Sequence, residues 1–449
     1  MSEFRPDTFA GRRFAVLGLG RAGASAARAL LAMGAEVLAW DDDPGKRDDT
    51  LPISDPLGAR YDALVISPGI PHFLPAPHPV AADARARFLP IWTDAELLFQ
   101  AVRENGSRAR FAGITGTNGK STTTALLAHV LARAGLSVAA GANLGPAALA
   151  LPGLDDHGVY CLEMSSYMLE RLATLRFDVA TLLNLTPDHL DRHGDMAGYA
   201  AAKRHIFDRQ TTADTAVVGV DDGPSRTMAD GLRGPHVMRV SGHAPADLWA
   251  EGTWLRDADG PILDLREAPA LPGAHNAQNA AAACAMAAAL GVSRARLADG
   301  LRDYPGLPHR QSLIAEIDGV RFINDSKATN ADATERALVC YRQVIWIAGG
   351  MGKVGGIEAL APYFPRVAEA LLIGRDAPVF ARTLQAHGVP HRIVETLERA
   401  VPEADAAARR RGVKVVLLSP AAASFDQFSG FEQRGEVFAH LTRALREVV

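Results

Sequence analysis

The sequence is poor in cysteine and in long apolar runs, and it carries no surplus of positive charge. Its three cysteines, Cys161, Cys284 and Cys340, lie far apart and match neither metal-ligand spacing nor a disulfide framework. They read as reduced core residues of a cytoplasmic protein. Lysine and arginine number 47 against 51 aspartates and glutamates, a net charge of -4. No basic excess exists to neutralise a phosphate backbone or hold an anionic membrane, so nucleic acid is not an expected partner. The longest small-apolar run, Ala280 to Val292, is mostly alanine and falls short of the roughly 20 residues of a membrane span. It reads as a buried helix, and no membrane insertion is expected. From Met1 to Gly20, charges are scattered through Glu3, Arg5, Asp7, Arg12 and Arg13, with no apolar stretch leading to a cleavage site. No export is expected.

What is present is ordinary globular material: 48% hydrophobic and 22% charged residues leave no tract that composition would call disordered. A chain of 449 residues, at roughly 150 per domain, implies about three domains. Short β-branched runs at Phe14 to Leu17, Glu36 to Trp40 and Ala63 to Ile66 alternate with helical stretches such as Ala22 to Met33, the pattern of βα units on a parallel sheet. The polar stretch Arg103 to Arg108 then precedes strands at Arg110 to Ile114, Gly158 to Glu163, Asp178 to Leu185 and Thr215 to Val220, followed by the alanine-rich helix. A turn cluster, Tyr304-Pro305-Gly306-Leu307-Pro308, introduces strands at Arg321 to Ile323, Val344 to Ala348, Ala370 to Ile373 and Val413 to Leu418. The expected fold class is α/β in three domains: Rossmann-like over 1–93, a central P-loop ATPase-like parallel sheet over 94–306, and Rossmann-like over 307–449.

The chemistry begins at Thr115-Gly116-Thr117-Asn118-Gly119-Lys120-Ser121, between a strand and a helix. Glycines let backbone N–H groups approach phosphate oxygens, the helix start adds partial positive charge, Lys120 can bridge terminal phosphates and Ser121 can ligate magnesium. The residue five before Gly119 is Ile114, so the usual GxxxxGK[ST] spacing is not kept. A Gly-Lys-Ser ending at a helix start nevertheless points to ATP. A second pattern, Gly18-Leu19-Gly20-Arg21-Ala22-Gly23, also follows a strand and opens a helix, with Asp41 where a ribose-binding carboxylate would sit. Taken alone it fits a dinucleotide, another nucleotide diphosphate, or mere tight packing.

Glu163 ends a strand expected to run parallel to the phosphate-loop strand, so its carboxylate should emerge at the edge where Lys120 lies, in reach of magnesium. The segment Asn184-Leu185-Thr186-Pro187-Asp188-His189-Leu190-Asp191-Arg192-His193 closes another strand with a dense polar cluster, although a lone histidine is more often structural. Lys203, on the following helix, is by default a solvated surface cation.

Five segments together resemble the ATP-dependent Mur ligases of bacterial peptidoglycan synthesis: Gly113 to Thr122, Glu163 to Tyr167, Asn184 to His193, His275 to Asn279 and Leu307 to Arg310. Asn324 to Asn330 and Ser419 to Gly435 are similar to the member that adds glutamate, and no Asp-Asn-Pro-Arg motif of the diamino-acid-adding member is found. The resemblance implies that Gly116, Thr117, Asn118, Gly119, Lys120, Ser121 and Thr122 bind the ATP phosphates, that Asn276 and Asn279 contact adenine, and that Arg310 and Asp325 grip phosphate and ribose. It implies a first magnesium on Ser121 and Glu163, and a second on His189 and Lys203, with Lys203 carbamylated. A carbamate would supply the hard anionic oxygens that magnesium prefers. Lys120, Glu163, His189 and Lys203 are thereby the expected catalytic set.

The same comparison implies that Gly20, Arg21, Ala22, Gly23, Asp41, Asp42, Ser67, Pro68 and Gly69 hold the UDP of UDP-N-acetylmuramoyl-L-alanine, with Asn143 and His189 near its muramoyl part. Thr329, Lys353, Ser424, Phe425 and Phe431 would take D-glutamate. Phe425 and the Met351-Gly352 pair stand where leucine and Asp-Gly are common. The implied reaction runs through an acyl phosphate, in the cytoplasm, on a monomer. An NAD-dependent oxidoreductase would explain Gly18 to Gly23 but leave the phosphate loop idle. A nucleotide-sensing regulator would bind ATP without forming a peptide bond. Use of L-glutamate by the same ligase is the remaining alternative.

Overall fold

The structure is a computed structural model describing residues 3–353 and 355–445. It divides into two compact units, Met1–Tyr304 and Pro305–Val449, which part inside the turn cluster seen in the sequence. The first unit carries two sheets. The smaller is fully parallel, in the order Glu36–Trp40, Arg13–Leu17, Ala63–Ile66, Ile91–Trp92. Its strand order reverses between Arg13–Leu17 and Ala63–Ile66, so a crevice opens beyond their carboxyl ends, where Gly18 to Gly23 and Ser67 to Gly69 follow.

The larger sheet has nine strands. Its parallel centre places Arg110–Thr115 between Val159–Glu163 and Val179–Leu182, and a three-stranded antiparallel edge runs over Leu248–Glu251, Trp254–Asp257 and Gly260–Asp264. Central strands buried on both faces explain their near-continuous apolar runs. The strand expected to reach Leu185 stops at Leu182, because Asn184 leaves the ladder to bond the phosphate loop. The alanine-rich helix, Ala274–Ala289, is buried against the helix Lys120–Arg133; small side chains allow that close approach.

Both sheets of the first unit share one core, and the boundary expected at 93/94 therefore lies inside a single compact unit. The helix Asp94–Glu104 joins them: its Leu97, Leu98, Ala101 and Val102 are buried with Phe14 and Val16 of one sheet and Phe111, Tyr160 and Leu162 of the other. Each fully buried leucine contributes about 1.5–3 kcal/mol.

The second unit is a six-stranded sheet in the order Ser312–Ile317, Val320–Asn324, Val415–Leu418, Val344–Gly349, Val367–Ile373, His391–Glu395, parallel except at its first pair. Beyond its carboxyl ends Met351–Gly352 pairs antiparallel with Ala422–Ala423, so that the segments leading to Lys353 and Ser424 leave one short ladder at its opposite ends. Cys161 and Cys284 are buried as expected, whereas Cys340 is half-buried, its thiol bonded to the Arg336 carbonyl. Among the described residues no helix is long and apolar enough to cross a membrane.

Candidate functional site

The phosphate loop turns through two glycines at positive φ, Gly116 at 152° and Gly119 at 84°. Gly119 is excluded from bearing a side chain twice over, since a Cβ there would lie 2.2 Å from Asn279 Oδ1. Helix Lys120–Arg133 starts directly after it, leaving its first N–H groups facing the loop. Asn184 locks the turn: its Oδ1 accepts from Asn118 N at 2.8 Å and its Nδ2 donates to Asn118 O at 3.1 Å. Thr117 Oγ1 reaches both Thr186 O and the Tyr199 hydroxyl. Ser121 and Thr122 are buried at the helix start.

Two lysines meet at this loop. Lys120 Nζ donates to Gly116 O at 2.9 Å and Thr117 O at 2.8 Å, and Lys203 Nζ donates to the same Gly116 oxygen at 2.8 Å. The default of a solvated Lys203 is thus overturned: the residue is 2% exposed, and its ammonium lies over the Tyr199 ring. Burial, and then the neighbouring Lys120, hold Lys203 well below the usual lysine range.

Glu163 stands across the loop, paired in register with Ile114 of the phosphate-loop strand. Its Oε1 accepts from Asn143 Nδ2, while its Oε2 is buried with no partner. A buried carboxylate oxygen left open beside a phosphate loop suits a hard cation. His189 is elsewhere in character: exposed, at φ 53°, its ring near Asp188 and against Tyr167. Among the described residues no three His, Cys, Asp or Glu side chains converge as a ready metal centre. Magnesium commonly takes one or two carboxylates and completes its shell with phosphate and water. Asn276 and Asn279 are buried and bonded to each other, with Asn279 packed on Gly119.

In the crevice of the small sheet, Gly20, Arg21, Ala22, Ser67 and Pro68 line a cleft of about 240 Å³ together with Asp94, Ala142, Asn143 and Met168. Gly23 must lack a side chain, because a Cβ would lie 1.8 Å from Gly18 O. Asp41 turns inward and accepts from Leu19 N at 2.7 Å and Asp43 N at 2.9 Å, so it fastens the glycine turn. Asp42 is exposed and held below the usual carboxylate range by its hydrogen bond to His78. Asp94 escaped sequence reasoning, as a lone aspartate at a helix start ordinarily is a cap. Here it is buried, accepts from Ala148 N, and has its carboxyl raised by burial. Tyr199 was also missed, although its spacing of four from Lys203 puts both on one helix face.

In the second unit Asp325 is buried, accepting from Ser419 Oγ at 2.7 Å and Gln311 N at 3.2 Å, and burial pushes its carboxyl up to about 7. Arg310 is near enough to act on its charge. Thr329 precedes the Asn330 cap of helix Ala331–Leu338, and Ser424 is buried. Phe431 opens the last helix, Phe425 is 70% exposed, and Lys353 is exposed. Arg434, unassigned from sequence, is fully buried on Ser326 and Ala422 oxygens.

An α/β enzyme with a glycine loop of phosphate-binding type and a second glycine-turn crevice is the class that this geometry defines. Two family models match the chain, the Mur ligase middle domain over residues 114–287 and the Mur ligase glutamate ligase domain over 309–422. Curated relatives named UDP-N-acetylmuramoylalanine--D-glutamate ligase are 51% identical in Paramagnetospirillum magneticum, covering 97% of both chains, and 49% identical in Rhodospirillum rubrum, covering 97% of this chain and 95% of the relative. The chain belongs to the Mur ligase family. Its fold is that of UDP-N-acetylmuramate-alanine ligase MurC from Thermotoga maritima, with a TM-score of 0.61 at 17% identity over 97% of this chain and 100% of that one.

Proposed function

We propose that this chain is an ATP-dependent amide ligase joining D-glutamate to UDP-N-acetylmuramoyl-L-alanine during cytoplasmic peptidoglycan precursor synthesis. One observation carries the chemistry: a glycine loop and helix start, two lysines and an unpartnered Glu163 oxygen surround the same point. The relatives' name supplies the substrates.

The alanyl carboxylate is a poor electrophile, so it must first be activated. It attacks the ATP γ-phosphorus in line, ADP leaves, and an acyl phosphate forms; the glutamate amine then attacks that carbonyl carbon and phosphate departs. Two anions meet in the first step. Lys120, whose Nζ now rests on loop carbonyls, would transfer its hydrogen bonds to the terminal phosphate, and the helix N–H groups would take the remaining oxygens. Magnesium, when bound, would neutralise phosphoryl charge, with Ser121 and Glu163 holding one ion and His189 and Lys203 a second.

The burial of Lys203 beside another cation favours a neutral amine, which can attack carbon dioxide; the N–C bond forms and one proton leaves to solvent. The resulting carbamate would reverse the sign of the charge at that position. Asn143 and the crevice residues Gly20 to Gly23, Asp42 and Ser67 to Gly69 would hold the muramoyl nucleotide, Asn276, Asn279, Arg310 and Asp325 the adenosine part of ATP, and Lys353, Thr329, Ser424, Phe425 and Phe431 the glutamate.

The test is an amino-acid panel with ATP and UDP-N-acetylmuramoyl-L-alanine, read as phosphate release and product mass. Phosphate release is expected only with D-glutamate and the muramoyl nucleotide together. Release independent of either, or L-glutamate outcompeting D-glutamate, would overturn the assignment.

A further inference from the structure

Arg171 has no part in the proposed reaction, yet it is a guanidinium only 3% exposed, hydrogen-bonded to backbone carbonyls and an imidazole nitrogen. It spends its donors on one loop: Ile66 O at 3.1 Å, Ser67 O at 3.2 Å, Ile70 O at 2.9 Å and His72 Nδ1 at 3.3 Å. Arg192, also buried, reaches the same loop, bonding Leu74 O at 2.5 Å and approaching His72 Nδ1 at 3.5 Å. The loop is the one that carries Ser67, Pro68 and Gly69, and Ser67 in turn bonds Gly18 O of the glycine turn. The two arginines come from the other sheet, Arg171 just after the Glu163 to Tyr167 segment and Arg192 three residues after His189, with its guanidinium over the Tyr167 ring. Burying two guanidiniums is expensive unless their donors are all used, and backbone carbonyls at a turn are the acceptors that a planar fork can gather. Glu170, whose charge acts on Arg171, also bonds His193 Nδ1 at 3.1 Å.

We infer that Arg171 and Arg192 are positioning residues that fix the 66–74 loop in its nucleotide-binding shape and tie it to the segments bearing Glu163 and His189. The inference rests on the proposed placement of UDP in the crevice. Binding of UDP-N-acetylmuramoyl-L-alanine, measured by calorimetry without ATP, should weaken about tenfold or more in Arg171→Met, with Arg171→Lys intermediate because it keeps the charge but not the fork. In turnover the KM for that substrate should rise while kcat and the KM for ATP move by less than about twofold. Hydrogen exchange should accelerate at the amides of 67–74 in the unliganded variant, and nucleotide binding should protect 167–172 in the wild type but less in Arg171→Met. Arg21→Ala, an exposed change in the same crevice, separates the two claims. If Arg21→Ala weakens binding and Arg171→Met does not, the clamp is wrong; if neither does, the crevice assignment falls with it. Should Arg171→Met fail to fold, Arg171→Lys decides, and wild-type affinity with wild-type loop exchange overturns the inference.

Discussion

Gly119→Ala puts a number on the phosphate loop. At φ 84° the residue sits where an L side chain meets its own carbonyl, a conflict of about 1–2 kcal/mol. The added methyl would also lie 2.2 Å from Asn279 Oδ1, 3.1 Å from its Cγ and 3.2 Å from Leu183 Cδ1. Asn279 cannot swing aside cheaply, because it is buried and its Nδ2 is committed to Asn276 Oδ1. Forcing a methylene-sized group into such packing costs about 1–3 kcal/mol, so the whole substitution should cost about 2–5 kcal/mol. Equilibrium urea unfolding should show a lower midpoint at unchanged slope. A control is Gly223→Ala, where no atom lies within 4 Å and φ is ordinary; it should be neutral or stabilising by up to about 1 kcal/mol. Because the strain is released by moving the loop and Asn279, the KM for ATP should rise sharply while that for the muramoyl nucleotide stays near wild type. A Gly119→Ala protein with wild-type midpoint and wild-type ATP dependence would refute the geometry argued for the loop.

Lys120→Ala should abolish ligation, a loss of about 3 kcal/mol or more in the transition state, with the cooperative unfolding transition retained. Steady-state phosphate release and a denaturation curve check both halves. Lys203→Arg keeps charge and length but cannot form a carbamate, so it should fail as badly as Lys203→Ala; an arginine variant retaining most activity would reduce Lys203 to an ordinary cation. Lys353→Ala should raise the KM for D-glutamate and leave the other two substrates alone. Since Lys353 is exposed, the loss should be that of a charge-assisted hydrogen bond, about 1.5–3 kcal/mol, and not that of a buried pair. Asp325, raised to about 7 by burial, binds a proton in the folded state that the unfolded chain has released. Its contribution is complete below about pH 4 and lost as pH rises through about 7; Asp325→Asn should remove that fall, read as unfolding midpoint against pH.

The framework of strands was legible because period-two and fully apolar runs report burial directly: Glu36–Trp40 and Ala63–Ile66 match the expected spans. Strand ends were less legible. Leu183 and Leu185 are as apolar as the strand before them, and the side-chain bonds of Asn184 between them to the phosphate loop accompany the end of the ladder at Leu182. The compact joining of the first two sheets was hidden too, since it depends on which faces of Asp94–Glu104 are covered, and that helix reads as an ordinary amphipathic segment. At the site, motif residues told their chemistry because glycines and a Gly-Lys-Ser ending have few other uses. Asp94 and Arg171 did not, because a single charged residue carries no signal until its burial is known.

Lys203 makes the limit concrete. Its neighbours in sequence, Ala202 and Arg204, give no sign of whether the helix face is covered, and lysine is normally a surface residue. The structure buries its nitrogen against the Gly116 carbonyl that Lys120 also uses, so two cations share one acceptor. Such an arrangement is unfavourable while both are protonated and is relieved when one loses its proton or gains an anionic group. Loss of the Lys203 proton relieves the clash, and a ligand that brings negative charge relieves it for Lys120. Phosphate oxygens can satisfy Lys120 at the mouth of the loop, whereas Lys203 is closed in by Thr115 and Tyr199, and under the proposed carbamylation its compensation would sit on its own nitrogen.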